Sequence, residues 1–184
     1  MSFRRLACAA LLSGLSSTPA LAGAPDAGAK KPLGDVIASP EIDGGATRVG
    51  DTIIAGQPSA KGFAELKRRG AKSVVNLRAT TEPGASTEKK AVEALGLGYA
   101  QAPVVKTALD AKSVDAALAA IDAAAKPVVL HCAGGNRAAA IWAIHQTTRG
   151  GVPVEEALEA ARTLGLKPEL EDFVKRESAA RTKK

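Results

Sequence analysis

Short apolar runs alternate with longer amphipathic stretches along most of the chain. The runs are rich in Val, Ile, Leu and Ala and are bounded by Gly or Pro, which is typical of buried strands. Pro103 lies near the end of one run, where a missing backbone N–H is tolerated. The predicted strands cover residues 52–55, 73–77, 99–105 and 128–131.

Between the strands, apolar residues recur at helical spacing, as Val114, Leu118 and Ile121 do. This pattern predicts helices with one buried face. Ser59 is a suitable N-cap for the first helix, and Gly70 is suited to its end. The predicted helices cover residues 59–70, 87–95, 110 or 113 to 125, 138–149, 154–164 and 168–179.

Strands that alternate with helices predict an α/β fold with a mostly parallel sheet flanked by helices. We expect one such domain over residues 46–179, followed by a basic tail at residues 180–184. Residues 23–45 read as a flexible lead segment, because their first part is rich in Ala, Gly and Pro. Residues 33–50 have few apolar positions, so we expect an irregular entry with at most one short strand.

The N-terminus has the three parts of a secretory signal peptide. Residues 1–5 are basic, residues 6–15 are apolar, and Ala20 and Ala22 give the small-x-small pattern of a signal-peptidase site. The apolar run is shorter than the roughly 20 residues that span a bilayer. We therefore expect cleavage after Ala22 and a periplasmic or secreted protein that is free of the membrane after cleavage.

Cleavage would leave Cys132 as the one thiol, which excludes an internal disulfide and a Cys-x-x-Cys redox pair. The formal net charge is +6, yet the chain has one Trp, one Tyr and three Phe, so nucleic-acid binding is not expected. Two His and two Cys without a clustered spacing give no support for a metal site, and no cofactor is expected. A small anionic substrate is compatible with the basic balance.

The strongest candidate for chemistry is the loop after the last predicted strand, residues 132–137, which reads Cys-Ala-Gly-Gly-Asn-Arg. Gly134 and Gly135 allow the backbone N–H groups to turn toward an anion. The start of the following helix, with Arg137, favours the nucleophilic thiolate form of Cys132. The planar fork of Arg137 can bind two oxygens of an anion. The alternative is a small buried Cys followed by an ordinary turn.

Residues 131–137 resemble the signature loop of cysteine-dependent tyrosine and dual-specificity phosphatases. That loop has five residues between Cys and Arg, whereas four separate Cys132 from Arg137. Over residues 56–168 the chain resembles the phosphatase-like domain of beta-lactamase-hydrolase-like proteins. This resemblance implies a protein tyrosine phosphatase-like fold and hydrolysis of phosphomonoesters. Its motifs are residues 56–59, 74–78, 95–96, 103–104, Tyr99 and the cysteine loop.

The resemblance also implies the roles of the loop residues. Cys132 would attack phosphorus, while Arg137 and the backbone N–H groups of the loop would hold the phosphoryl oxygens. Asn136 is also placed to brace the loop or to cap the next helix. Ala138 takes the place where such enzymes commonly carry Ser or Thr, which disfavours fast hydrolysis of a phosphocysteine. The expected substrate-binding residues are Ala133, Gly134, Gly135, Asn136, Arg137 and Arg78.

A general acid is implied on the loop after residues 103–104, and two carboxyl groups are candidates. Asp110 is the first one beyond that position, and it is equally suited to cap the following helix. Glu82 is the second, with a merely solvated loop side chain as its alternative.

His131 and Glu82 are expected to support the site, and Arg78 is expected to act beside the loop. His131 points to the face of its strand opposite Cys132, so it would stabilise the loop through hydrogen bonds and not act as a base. A core histidine with satisfied hydrogen bonds is the alternative. Arg78 follows a buried strand and could add positive potential near the loop, with a surface arginine as its alternative.

The short loop also supports a rival function. Single-domain rhodaneses carry a Cys-x4-Arg loop, which implies that Cys132 could hold a persulfide and transfer sulfur without a general acid. A third possibility is a non-catalytic protein that uses Arg137 and the loop to bind phosphate or sulfate. Fold ancestry alone does not decide among the three.

Overall fold

The computed structural model of the chain describes residues 33–105 and 109–182. They belong to one compact unit, Pro32–Lys184. The predicted signal peptide, its cleavage after Ala22 and the first part of the lead segment lie outside the described residues. The cleavage site and the periplasmic location therefore remain predictions. The lead segment expected over residues 23–45 overlaps a strand that begins at Asp35, and the tail expected from residue 180 overlaps a helix that ends at Thr182.

The core of the fold is a six-stranded sheet in the order β1-β2-β3-β6-β4-β5. The pairs β3–β6, β6–β4 and β4–β5 are parallel, whereas β1 and β2 form an antiparallel edge. This is the mostly parallel sheet that the sequence predicted. The strands are β1 Asp35–Ile37, β2 Ala46–Val49, β3 Thr52–Ala55, β4 Ser73–Asn76, β5 Gly98–Gln101 and β6 Val128–His131.

The central strands β3, β4 and β6 are buried at every position, which explains their continuous apolar sequence. Neighbouring side chains on each strand enter different cores, because successive side chains of a strand point to opposite faces. Val129 packs in the cluster that contains Phe63, and Leu130 packs in the cluster that contains Cys132.

Helices cover both faces of this sheet. α1 and α2 contribute to the Val129 cluster, and the remaining α-helices contribute to the Leu130 cluster. Ser59 caps α1 by accepting a hydrogen bond from the N–H of Gly62, as predicted. The helices are α1 Ala60–Arg68, α2 Ala85–Ala94, α3 Ala111–Ala123, α4 Asn136–Arg149, α5 Val154–Thr163 and α6 Glu171–Thr182, with a 3-10 turn at Pro168–Leu170.

The expectation of an irregular entry over residues 33–50 was wrong, because this region contains β1 and β2. Their pattern is weak since edge strands are half exposed; Val36, for example, is 72% exposed. The strand predicted over residues 99–105 ends at Gln101, so Pro103 lies beyond it. The last predicted helix begins as a 3-10 turn, and the helix after the cysteine loop begins at Asn136 and not at residue 138.

Within the described ranges, no helix is both long and apolar enough to cross a membrane. The same residues contain no group of three or more His, Cys, Asp or Glu side chains placed to hold a metal ion.

Candidate active site

The cysteine loop lies at the carboxyl end of the central strand β6, where parallel α/β sheets place their ligands. Two backbone hydrogen bonds fix its start to the neighbouring β3 segment. The Cys132 N–H donates to the Ala55 carbonyl at 3.4 Å, and the Gln57 N–H donates to the Ala133 carbonyl at 2.9 Å. The loop is therefore held to its neighbour before α4 begins.

Glycines make this close approach possible. At Gly56, a Cβ atom would lie 1.5 Å from the carbonyl oxygen of Asp43, so a larger residue cannot occupy this position. Gly135 has φ +87° and forms the N-cap of α4 in the left-handed region. Gly135, and not Asn136, is thus the residue that turns the chain into the helix.

The thiol lies beneath the loop. Cys132 is 1% exposed, whereas Ala133 and Gly134 are exposed at the rim. The burial of Cys132 agrees with the alternative of a buried cysteine, because α4 and the core cover it. The pKa of Arg137 is raised, first by its hydrogen bond with Glu82 and also by the nearby Cys132. The sequence-predicted pair of nucleophile and anion-binding arginine is brought together.

Arg137 is oriented by the carboxylate of Glu82, which the sequence offered as a candidate general acid. Its two terminal nitrogens bind the two oxygens of Glu82 at 2.7 and 2.8 Å, and Nη1 also donates to the carbonyl of Val104 at 3.2 Å. The fork is 7% exposed and cannot rotate freely. These contacts therefore fix the orientation of the Arg137 guanidinium.

Glu82 is ionised in this arrangement. The hydrogen bond from Arg137, against the opposing effect of burial, lowers the pKa of Glu82 to about 2, and the Ala79 N–H at 2.9 Å adds to this. The solvated alternative for Glu82 was wrong, since the carboxylate is bound by Arg137. An ionised carboxylate has no proton to give at neutral pH, so Glu82 does not fit the role of general acid. It fits the supporting role.

Arg78 is buried beside the site, at 4% exposure, and the surface alternative was wrong. Its guanidinium donates to the side-chain oxygen of Gln57 and to the carbonyl of Pro83. Nε lies 3.6 Å from Glu82, and Nη1 lies 3.6 Å from Glu88. Arg78 therefore places positive charge between two carboxylates near the loop, as predicted.

Glu88 is a site residue that sequence reasoning missed. One of its oxygens lies 3.0 Å from His131 Nε2, and the other accepts a hydrogen bond from Gln57 at 2.7 Å. Burial opposes its ionisation, but the hydrogen bond and charge of His131, with Gln57 and Arg78, outweigh burial and lower the pKa of Glu88. A signal was available: Glu88 lies at helical spacing between the buried Ala85 and Val92, on the apolar face of α2.

His131 supports the loop as predicted. It is fully buried, its Nδ1 lies 3.4 Å from the Cys132 carbonyl, and its ring packs edge-on against Phe63 at 5.7 Å. It lies on the opposite face of β6 from Cys132 and is not placed to act as a base. Both expectations for His131 hold at once, because it is a core histidine whose ring lies within hydrogen-bond distance of the cysteine loop.

Asn136 braces the loop from the other side. Its side-chain oxygen accepts a hydrogen bond from the Lys167 N–H at 2.9 Å, and its amide donates to Glu169 at 3.0 Å. The side chain is directed to the 3-10 turn, so any contact of Asn136 with an anion would come from its backbone N–H. Ala138, the next residue but one, is fully buried and offers no hydroxyl to the thiol.

Asp110 caps α3, which confirms one of its two expected roles. Its carboxylate accepts a hydrogen bond from the Ser113 N–H at 2.7 Å. Residues 106–108, which lead from β5 toward Asp110, lie outside the described part of the chain. Its role as a general acid stays a prediction.

The fold and site together define a class. A buried Cys and an oriented Arg enclose a short loop between the central strand and the helix of a mostly parallel sheet, which is the arrangement of a protein tyrosine phosphatase-like domain. The family model for the beta-lactamase hydrolase-like protein, phosphatase-like domain, matches residues 47–149. The chain belongs to this family.

Individual relatives agree with this assignment. The beta-lactamase hydrolase-like protein of Xylella fastidiosa (strain Temecula1) is 33% identical over 107 residues, which is 56% of this chain and 25% of that protein. The chain thus spans about a quarter of the length of the curated relatives it matches.

Solved structures share the fold. A DUF442 protein from Shewanella putrefaciens CN-32 has a TM-score of 0.64 and 26% identity, over 76% of this chain and 94% of its own. TpbA from P. aeruginosa, in complex with phosphotyrosine, has a TM-score of 0.62 and 20% identity, over 82% of this chain and 89% of its own. At this identity, the second similarity establishes the fold alone.

Proposed function

We propose that this protein is a cysteine-dependent phosphatase that hydrolyses phosphomonoesters. The observation that carries the proposal is the Arg137 guanidinium, held in one orientation by Glu82 at the end of the loop that starts at the buried Cys132. Glu82 binds one edge of the guanidinium, and the edge formed by Nε and Nη2 can bind two phosphoryl oxygens without rearrangement when substrate arrives. The phosphatase-like family and the protein tyrosine phosphatase-like fold support the same chemistry.

The mechanism proceeds in two steps. The thiolate of Cys132 attacks phosphorus, a sulfur–phosphorus bond forms, and the bond from phosphorus to the leaving oxygen breaks. Asp110 supplies a proton to that oxygen. Water then attacks the phosphocysteine and gives a proton to Asp110, the sulfur–phosphorus bond breaks, and inorganic phosphate leaves with the thiolate restored. Arg137 and the N–H groups of residues 133–136 hold the non-bridging oxygens throughout.

Aryl phosphates are the proposed substrate class, and the phosphotyrosine bound to TpbA supports this choice. We further propose that the protein acts in the periplasm, on the basis of its N-terminal signal pattern.

Turnover of p-nitrophenyl phosphate tests the proposal. The mature protein should release nitrophenol, and Cys132→Ser should reduce release to the background rate. Arg137→Lys keeps the charge but loses the fork, so we expect kcat/KM to fall about 100-fold. A Cys132→Ser variant as active as the wild type would exclude the mechanism.

Sulfur transfer is the second candidate, favoured by the four-residue spacing and by the engagement of Asp110 as a cap. In that reaction Cys132 takes the outer sulfur of thiosulfate, releasing sulfite, and passes it to cyanide as thiocyanate. Thiocyanate formation that requires Cys132, without nitrophenol release, would favour this function. Activity in neither assay, with phosphate bound in an Arg137-dependent manner, would favour an anion-binding protein.

A further inference from the structure

The carboxylate that orients Arg137 is carried by a turn at residues 79–84. Two backbone hydrogen bonds shape this turn, from the Glu82 N–H to the Ala79 carbonyl at 3.0 Å and from the Ala85 N–H to the Glu82 carbonyl at 3.0 Å. The Glu82 side chain also accepts from the Ala79 N–H at 2.9 Å. These bonds are local, so by themselves they do not fix the Glu82 carboxylate relative to Arg137.

Arg78 joins this turn to the rest of the site, and it is 4% exposed. Its Nη2 donates to the Pro83 carbonyl inside the turn, and its Nη1 donates to Gln57 on the segment after β3. Its Nε lies 3.6 Å from the Glu82 carboxylate and has no hydrogen-bond partner among the described residues. Arg78 therefore faces two successive residues of the turn.

The backbone of Arg78 is fixed as well as its side chain. Its N–H donates to the Asn76 side chain at 2.8 Å, and its carbonyl accepts from the Gln101 side chain at 3.0 Å. Asn76 and Gln101 are the last residues of β4 and β5, so these bonds hold Arg78 at the carboxyl end of the sheet. A planar guanidinium on a fixed backbone can act as a rigid link between the sheet and the turn.

One oxygen of Glu82 is shared by two arginines. Oε2 lies 2.8 Å from Arg137 Nη2 and 3.6 Å from Arg78 Nε. The hydrogen bond from Arg137 is the largest cause that lowers the pKa of Glu82, and the charge of Arg78 adds to it. The Arg78 guanidinium thus faces Glu82 and neutral protein oxygens, which favours a role through Glu82 over direct contact with an anion.

We propose that Arg78 is a positioning residue for Arg137: it fixes the turn at residues 79–84, so that Glu82 holds the Arg137 guanidinium in the orientation that binds a phosphoryl group. Arg78 acts through Glu82 and does not contact the substrate. The inference rests on the proposed function in one respect, since Arg137 is taken to bind the phosphoryl oxygens. Loss of the Arg78 fork should therefore weaken anion binding only while Glu82 is present to transmit the effect.

Tungstate, a tetrahedral dianion similar in shape to phosphate, is the probe. Its affinity is measured by NMR titration of the Gly134 and Gly135 N–H signals, which reports weak as well as tight binding. Arg78→Lys keeps the positive charge but loses the fork, so it should weaken tungstate binding about tenfold. In a Glu82→Gln background the same substitution should change the affinity less than about twofold.

The two backgrounds separate positioning from direct binding. An equal loss in both would show that Arg78 acts on the anion without Glu82, and it would overturn the proposal. An affinity that Arg78→Lys leaves unchanged in the otherwise wild-type protein would overturn it too, because a positive charge without the fork would then suffice.

Arg69→Lys is the matched control, because the Arg69 fork also binds a glutamate four residues away, Glu65. It lies beside the start of β6, since the Lys72 N–H donates to the Pro127 carbonyl at 2.8 Å, whereas the cysteine loop follows the end of that strand. Arg69→Lys should leave tungstate affinity unchanged. A loss as large as that of Arg78→Lys would overturn the proposal, because general destabilisation would then explain both.

A measurement on the wild-type protein covers variants that fail to fold. In the same titration the Nε–H signal of Arg137 should shift, and that of Arg78 should shift much less. A shift at Arg78 as large as at Arg137 would overturn the proposal, as would wild-type protein that binds no tungstate. Protein that binds tungstate with the expected pattern but hydrolyses no phosphate ester would support the positioning role and contradict the proposed function alone.

Discussion

Three side chains determine what the loop can do: Cys132, Arg137 and Glu82. The Cys and the Arg follow from the sequence because they belong to one short motif. Their partners do not, because Glu82 is 55 residues from Arg137 and Glu88 is 43 residues from His131. Contacts across such separations depend on how β4 and β6 align, and a single chain's residue pattern does not reveal that.

The Glu82–Arg137 pair gives a pH-dependent prediction. The pKa of Glu82 is lowered from 4.5 to about 2, so its contribution to stability is full above pH 4.5 and is lost as the pH falls toward 2. Glu82→Gln should therefore unfold at lower urea concentration than wild type at pH 7, and the difference should shrink in acid. Equal midpoints at pH 7 would contradict this assignment.

The two roles of Asp110 can be separated by two substitutions. Asn is also a good N-cap, so Asp110→Asn should keep the stability of α3, whereas Asp110→Ala should lose about 1 kcal/mol. If Asp110 is the general acid, both variants should lose activity toward phenyl phosphate, whose leaving group needs a proton, more than toward p-nitrophenyl phosphate. Urea unfolding and steady-state rates measure the two effects. Equal losses of activity on both substrates would leave helix capping as the role of Asp110.

At the scale of elements, the α4 N-terminus depends on Gly135. An L-residue in its left-handed conformation costs about 1–2 kcal/mol, although a Cβ there has room, with Gly56 N nearest at 3.8 Å. Gly135→Ala should therefore destabilise the protein by about this amount in urea unfolding. Gly134→Ala is the control, because a Cβ at Gly134 meets no atom within 4 Å and should cost little. Similar effects from both variants would rule out backbone strain as the cause.

Elements with strong patterns could be predicted, and those with weak patterns could not. Strands β3, β4 and β6 are buried on both faces, so their apolar sequence is continuous and predicts them. β1 is an edge strand that exposes Asp35 and Val36, so its sequence resembles a loop. The start of α4 was predicted two residues too late, at residue 138 and not at Asn136, because Asn and Arg are not typical of an apolar helix face.

At the scale of the whole molecule, the site extends past the family match, which ends at residue 149. The segment beyond it braces the loop, since the Lys167 N–H and Glu169 bind Asn136. α5 and α6 also pack into the core that contains Cys132. The C-terminal segment is therefore part of the structure that holds the loop.

Export gives a prediction for the whole chain. Expressed at full length in a Gram-negative host, the protein should be recovered from the periplasmic fraction with Gly23 at its N-terminus, as measured by intact mass. Ala22→Leu removes the small residue at the cleavage site and should leave the precursor uncleaved. Wild-type protein in the cytosolic fraction with an intact N-terminus would contradict the assignment.

The central claim is that Cys132 forms a covalent bond to phosphorus during turnover. Acid quenching of the mature protein within milliseconds of mixing with p-nitrophenyl phosphate, followed by peptide mass spectrometry, tests it directly. We expect a phosphoryl group on the peptide containing Cys132 in the wild type and none in Cys132→Ser. Nitrophenol release of equal rate in both proteins, with no phosphoryl adduct on Cys132, would contradict it.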